Sequence, residues 1–394
     1  MRKILLATTA LVAFAGAAQA AESPISVNVG GYVDFRAAQF HESDKSQGTS
    51  IVSKRRSTDF ETEYRLNISA EGKAANGIEY GGLVSLWNGA EYTDGFTGGQ
   101  NSVHEDQAYV WMSGAWGKVI LGDDHGASDL SVYAPTVGEG QVDGTYTDFT
   151  DPSTLAVFQP GFIDEAESST KVTYYTPKVG NENHKLQLGA SFAPNFYDVG
   201  QNVVKYDSAL VTNGSANASY KNYVEAVAQY TGNWSPVNTV ISANISTADA
   251  EGSFHAAQVK SYTSWGVGAQ AMYNGWTVGA SYADAGRFGA VEGQNKDQSV
   301  WGMGVKYEFD KVALALNTLR GHGYYNSFAA VGTTGDTTHD NYVSDYSALG
   351  MGATYTWFPG LTTAADAVLF TQNRADDVRD NDGHVFMVSQ KITF

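Results

Sequence analysis

Residues 265–282 read Trp-Gly-Val-Gly-Ala-Gln-Ala-Met-Tyr-Asn-Gly-Trp-Thr-Val-Gly-Ala-Ser-Tyr. Trp265, Val267, Ala269, Ala271 and Tyr273 alternate with Gly266, Gly268, Gln270 and Met272. Successive side chains of a strand point to opposite faces, so period-two alternation predicts a strand with one apolar face. Asn274-Gly275 follows, a dipeptide that suits the positive backbone angles of a two-residue hairpin turn. The stretch therefore predicts two antiparallel strands joined by a tight turn. Aromatics stand at the ends of each apolar face: Trp265 with Tyr273, then Trp276 with Tyr282.

The same pattern recurs along the chain. Phe60, Thr62, Tyr64, Leu66 and Ile68 alternate with Glu61, Glu63, Arg65, Asn67 and Ser69. Trp301 to Phe309 and Leu349 to Trp357 repeat it, with aromatic ends. The core face of a soluble sandwich would mix Val, Ile, Leu and Phe. Aromatic ends on an apolar band instead match the two girdles of a barrel in a bilayer. Spans of about 9–11 residues suit a tilted strand crossing the hydrocarbon.

Short turns such as Ala74-Ala75-Asn76-Gly77 and Phe358-Pro359-Gly360 alternate with long polar segments. The long segments are 40–56, 89–103, 123–167, 194–218, 249–259, 285–297, 321–344 and 372–382. Short turns on one side and long loops on the other are expected of an outer-membrane barrel. The reading is an all-β, transmembrane antiparallel β-barrel of about 16 strands, the first near 25–39 and the last near 383–394.

Both termini agree. Residues 1–20 carry a basic start (Arg2, Lys3), an apolar run and Ala18-Gln19-Ala20, the pattern of a cleaved signal peptide. The remainder, 21–394, reads as a single barrel domain. Phe386, Val388, Ile392 and Phe394 share one face of the last strand, together with His384 and Gln390. A terminal strand ending in Phe resembles the signal by which such barrels are recognised by the assembly machinery, which assigns Phe394 that role.

Composition excludes several classes. The formal charge is −18, which argues against a nucleic-acid partner because phosphate contacts need a basic face. With no cysteine there is no disulfide framework, thiolate metal site or cysteine nucleophile. The eight histidines show no metal-ligand spacing and no G-x-S-x-G elbow occurs, so neither a metal site nor an enzyme is expected. Acidic loops could loosely hold Ca²⁺, but no EF-hand spacing is present, and no cofactor is expected. G-x-G strings such as Gly302-Met303-Gly304 lie inside strands and read as room on the inner face.

Three stretches carry a family resemblance: Val29 to Phe35, Ile68 to Gly82, and Glu105 to Asp129 with Trp116-Gly117-Lys118-Val119 and Leu121-Gly122. The chain resembles the general diffusion porins of Gram-negative outer membranes, of the alphaproteobacterial type. The resemblance implies a long third loop folded into the lumen, and a homotrimer in contact with outer-membrane lipid and lipopolysaccharide.

Segment 123–167 is that loop by position. Its acids include Asp123, Asp124, Asp129, Glu139, Asp143, Asp148 and Asp151, and it has no Lys or Arg. Fixed negative charge in a pore concentrates cations within a Debye length of about 8 Å. By strand parity Asp34, Arg36, Glu63 and Arg65 point inward. Arg36, Arg65, Arg55 and Arg56 are expected to form a basic wall opposite the loop, giving a transverse field. The other reading of Arg36 and Arg65 is pairing with Asp34 or Glu63 along the wall. The expected function is passive diffusion of ions and small hydrophilic solutes with weak cation preference. Three alternatives are a channel specific for a sugar or an organic acid, a barrel lipase and a soluble β-sandwich.

Overall fold

The computed structural model describes residues 25–43, 56–88, 103–138, 142, 144–150, 169–195, 219–251, 253–254, 257–258, 260–288, 298–324, 343–374 and 380–394. The expected signal peptide, residues 1–20, lies outside them, as do Arg55, Glu139, Asp143 and Asp151.

Sixteen strands follow one another around a closed antiparallel barrel. They are β1 (Ser26–Glu42), β2 (Thr58–Lys73), β3 (Glu79–Trp87), β4 (His104–Gly114) and β5 (Gly117–Asp123). Then come β6 (Thr170–Tyr175, resumed at Val179–Gly180), β7 (His184–Asn195), β8 (Ser219–Asn233) and β9 (Asn238–Glu251). The circuit ends with β10 (Tyr262–Tyr273), β11 (Trp276–Gly286), β12 (Gln298–Phe309), β13 (Val312–Tyr324), β14 (Val343–Phe358), β15 (Leu361–Arg374) and β16 (Asn381–Thr393). Each strand pairs with the next, and β16 returns to β1 in register from Tyr32 opposite Thr393 to Glu42 opposite Gly383. Gly31 and Phe394 exchange two backbone hydrogen bonds of 2.9 and 3.0 Å, which seal the seam at its last residue. Closure leaves no unpaired edge, a condition for strands in hydrocarbon.

The alternation read from sequence sorts the two faces. Val33 and Phe35 are 44% and 47% exposed, while Asp34 and Arg36 are 0% and 1%. The apolar face is thus the outer one and the polar face the inner one. Aromatic bookends pack near the short-turn end: Trp276 on Tyr307 of the next strand at 4.4 Å, and Tyr355 on Trp357 along one strand at 4.7 Å. The opposite belt contains Trp265 on Tyr282 at 5.3 Å.

β4 defies simple parity in the sequence, and the structure gives the reason. The β3–β4 ladder slips between Ser85 and Leu86, opposite Gln107 and Glu105, so Asp106 is the extra residue of a β-bulge. Asp106 and Gln107 consequently both reach inward, to Arg65 and to Asp124. Below the bulge Val110 and Met112 face outward, 58% and 47% exposed.

Candidate functional site

The third loop leaves β5 and runs along the inner wall, past β6 to β15, until it reaches β1. Each station is held by inward side chains that parity placed there. Glu225 of β8 accepts the backbone N–H groups of Ala127 and of Ser128, the latter at 3.2 Å. Ser242 of β9 accepts from Val132 N at 2.8 Å, and Gln270 of β10 donates to Tyr133 O at 2.8 Å. A wall that donates and accepts in this way satisfies a backbone that has no ladder of its own.

The glycines of β10 to β14 are the bed for this loop. A Cβ on Gly304 would lie 2.5 Å from Pro135 O and 3.2 Å from Pro135 Cδ. One on Gly268 would overlap the Val132 carbonyl, and one on Gly350 would come within 3.3 Å of Val142 N. The G-x-G strings are therefore spaced by the strand period to leave inner-face room for a second layer of chain.

Past residue 138 the loop turns apolar. Val142, Tyr146 and Phe149 are buried against Val300, Leu319, Tyr346, Val368 and Phe370. Phe149 packs on Phe40 of β1 at 6.0 Å, and the Tyr146 and Tyr346 hydroxyls hydrogen-bond. The lumen beside this part of the wall is a packed core. Sequence reasoning about acids missed it. The signal was present: apolar residues three and four apart in a polar loop, facing strands whose inner positions turn apolar at Val300, Leu319 and Val368.

The acids of the loop are separated by the fold. Asp123 takes the parity of Leu121, the outward one, and is buried between the Thr170 hydroxyl and Glu105, so it is removed from the pore lining. Asp124 is 3% exposed and accepts from Gln107 Nε2 at 3.3 Å. Burial raises its pKa, Asp129 adds to the rise, and Lys171 opposes it. Asp129 is half exposed, 3.6 Å from His125 Nδ1. Asp148 lies at the far end, 3.9 Å from Arg36 Nη1. Burial pushes its pKa up to about 7, helped by Glu61 and Glu63 and opposed by Arg36. Glu139, Asp143 and Asp151 lie outside the described residues.

The expected basic wall is corrected. Arg36 points inward but is covered by carboxylates, with Asp34 at 2.9 Å, Glu63 at 2.8 Å and Glu61 at 3.5 Å. A guanidinium among four acids, Asp148 included, is a neutralised centre with net negative surroundings. Arg65 pairs with Asp106 at 3.3 Å and lies 5.0 Å from the Trp87 ring centre. Arg56 sits at the rim, its side chain 80% exposed, 3.7 Å from Asp59. Wall pairing describes both arginines: Arg36 with Asp34 on its own strand and Glu61 and Glu63 on β2, and Arg65 with Asp106 of β4, an acid outside the expected pair of Asp34 and Glu63. Other inward cations are also engaged: Lys171 donates to His125 O at 3.1 Å, Lys306 meets Glu308 at 3.1 Å, and Lys391 lies over Tyr32 at 4.2 Å. Among the described residues no cluster of three or more His, Cys, Asp or Glu is arranged to hold a metal ion.

A family model for Gram-negative porins matches residues 7–377. Among solved structures the chain is similar to Salmonella typhi OmpF in complex with daunomycin, at 15% identity, covering 93% of this chain and 97% of that one, with a TM-score of 0.58. It is similar to an anion-selective porin from Comamonas acidovorans, at 13% identity, covering 95% and 100%, with a TM-score of 0.57. It is also similar to the trimer form of Vibrio cholerae OmpT, at 10% identity, covering 94% and 100%, with a TM-score of 0.54. At these identities the likeness is one of fold. No protein of curated function matches.

Proposed function

Because the chain belongs to the Gram-negative porins, a family of outer-membrane diffusion channels, we propose that its loop-lined lumen passes ions and small hydrophilic solutes with a weak preference for cations. The observation that carries the sign is the pairing of the basic side chains just described, against acids that remain part exposed in the loop. Asp129 and Asp148 are 49% and 37% exposed, whereas Arg36 is 1% exposed. Unbalanced fixed charge at a constriction sets the local ion ratio. Fold alone does not set it, since the similar porin from Comamonas acidovorans is anion-selective.

The working unit is a homotrimer. β5 has seven residues and β3 has nine, against 17 in β1. Seven residues at about 3.3 Å each, tilted about 45°, rise roughly 16 Å, short of the roughly 25 Å apolar band. A wall this low supports cover by a neighbouring subunit. The irregular parity of β4 comes from the bulge at Asp106 and carries no weight for an interface. Migration of unheated protein as a species three times the monomer mass supports the trimer, and monomer alone refutes it.

Conductance in a planar bilayer under a KCl gradient tests the channel. Stable steps with a cation-side reversal potential are expected. Steps with anion preference keep the channel and overturn the assignment of the loop acids as the dominant charge.

A further inference from the structure

Beside the main channel, at the root of the third loop, a cavity of about 420 Å³ opens between the loop and β4 to β7. At about 30 Å³ per water it has room for roughly 14 waters, or a solute of a dozen heavy atoms. Its floor is Tyr109, Ile120 and Tyr175, and Asp124 and Asp129 line its loop end. The Tyr175 hydroxyl is already spent, donating to Gly126 O at 2.5 Å.

Asp124 is the unusual member. One carboxylate oxygen accepts from Gln107, while Oδ2 is buried and has no hydrogen-bond partner among the described residues. A buried carboxylate with an unused acceptor costs free energy unless something donates to it. Two lysines of the wall lie close without donating to this oxygen: Lys171 acts on Asp124 through its charge and donates to the His125 carbonyl, and Lys118, which also lines the cavity, lies 5.1 Å over the Trp111 ring. A positively charged group with N–H donors that arrives from the channel would supply this partner. Such a group makes charge-assisted bonds with a carboxylate, and its stem can lie on tyrosine faces.

We propose that this cavity is a binding subsite for small solutes ending in a guanidinium or primary amine, with Asp124 as the anchor and Asp129 as a second carboxylate beside it. The proposal rests on the channel reading and adds a solute class to it. A weak subsite beside the channel raises the local concentration of such solutes without closing the pore to others.

The test is current block by agmatine in planar bilayers, with glucose and propionate as controls. Wild-type channels should show dose-dependent block by agmatine and none by the controls. Asp124→Asn should weaken the block roughly tenfold or more, the loss of a charge-assisted hydrogen bond. Asp129→Asn should weaken it less, and it replaces the first variant if Asp124→Asn does not reach the heat-modifiable closed barrel. Asp310→Asn, in the short turn between β12 and β13, should keep the block. Conducting channels without agmatine block overturn the proposal, as does block that survives Asp124→Asn or is lost in Asp310→Asn. Absence of any conductance steps counts instead against the channel reading itself.

Discussion

Replacing Gly304 or Gly268 by Ala should lift the third loop off the wall. The Gly304 Cβ would meet Pro135 O at 2.5 Å, about 1 Å inside the roughly 3.5 Å at which non-bonded atoms rest comfortably. Both partners there are backbone or a proline ring, so neither can rotate away. The loop must move toward the channel axis by about that distance. The clash at Gly268 is deeper and falls on the Val132 carbonyl. Two anchors flank it, Val132 N to Ser242 and Gln270 to Tyr133 O, both 2.8 Å. At about 1 kcal/mol each, their loss costs about 2 kcal/mol, or roughly thirty-fold in the ratio of seated to displaced loop. The barrel ladder is untouched because Ala is accommodated in a strand. Single-channel recording reads the result. Gly304→Ala should give smaller unitary steps with added open-channel noise, and Gly268→Ala a larger effect in the same direction. Ala269→Val, on the lipid-facing parity of the same strand, should match wild type. Wild-type step size and noise in Gly268→Ala would refute the account of the glycines as a loop bed.

Two further perturbations address the charge centre at β1 and β2. The pKa of Asp148 is raised from 3.8 to about 7 in the folded channel, so between these values the folded chain keeps a proton that the unfolded chain releases. Attachment of the loop end therefore weakens as pH rises through that window and levels off above about 7. The reversal potential should shift toward cations between pH 6 and pH 8 as Asp148 gains charge beside Glu61, Glu63 and Arg36. Asp148→Asn should flatten that shift, and an equal shift in both proteins would sink the assignment. Arg36→Gln strips the cation from Asp34 and Glu63, which are 0% and 6% exposed. Leaving buried carboxylates unpaired costs about 3–5 kcal/mol. The temperature of the heat-induced gel shift should fall, and acidification should recover part of it as the carboxylates protonate; an unchanged transition temperature would contradict this.

The barrel was legible in the sequence because its signals are local. Alternation fixes which side chains share a face, and Trp265-to-Tyr282 already contains a strand, a turn and the next strand. The short and long connections and the even strand number match the outer-membrane barrel class, and the terminal Phe394 resembles its assembly signal. Inward parity of Asp34, Arg36, Glu63 and Arg65 was readable for the same reason.

What sequence parity could not supply is distance across the lumen. It placed Arg36 inward but not under Asp34, Glu61 and Glu63, because cross-strand register depends on pairing between segments separated by variable loops. It could not show that one extra residue at Asp106 lets both Asp106 and Gln107 turn inward. Nor could it say that Gly268 and Gly304 serve the third loop, since loop and strand lie more than a hundred residues apart in the chain. The sequence by itself determined a closed barrel, its inner and outer faces and a long acidic third connection, whose place in the lumen came from the family resemblance. Only the tertiary structure decided which charges meet and cancel, which acids remain to face the water, and where the loop rests. Those depend on long-range contacts that a periodic pattern does not encode.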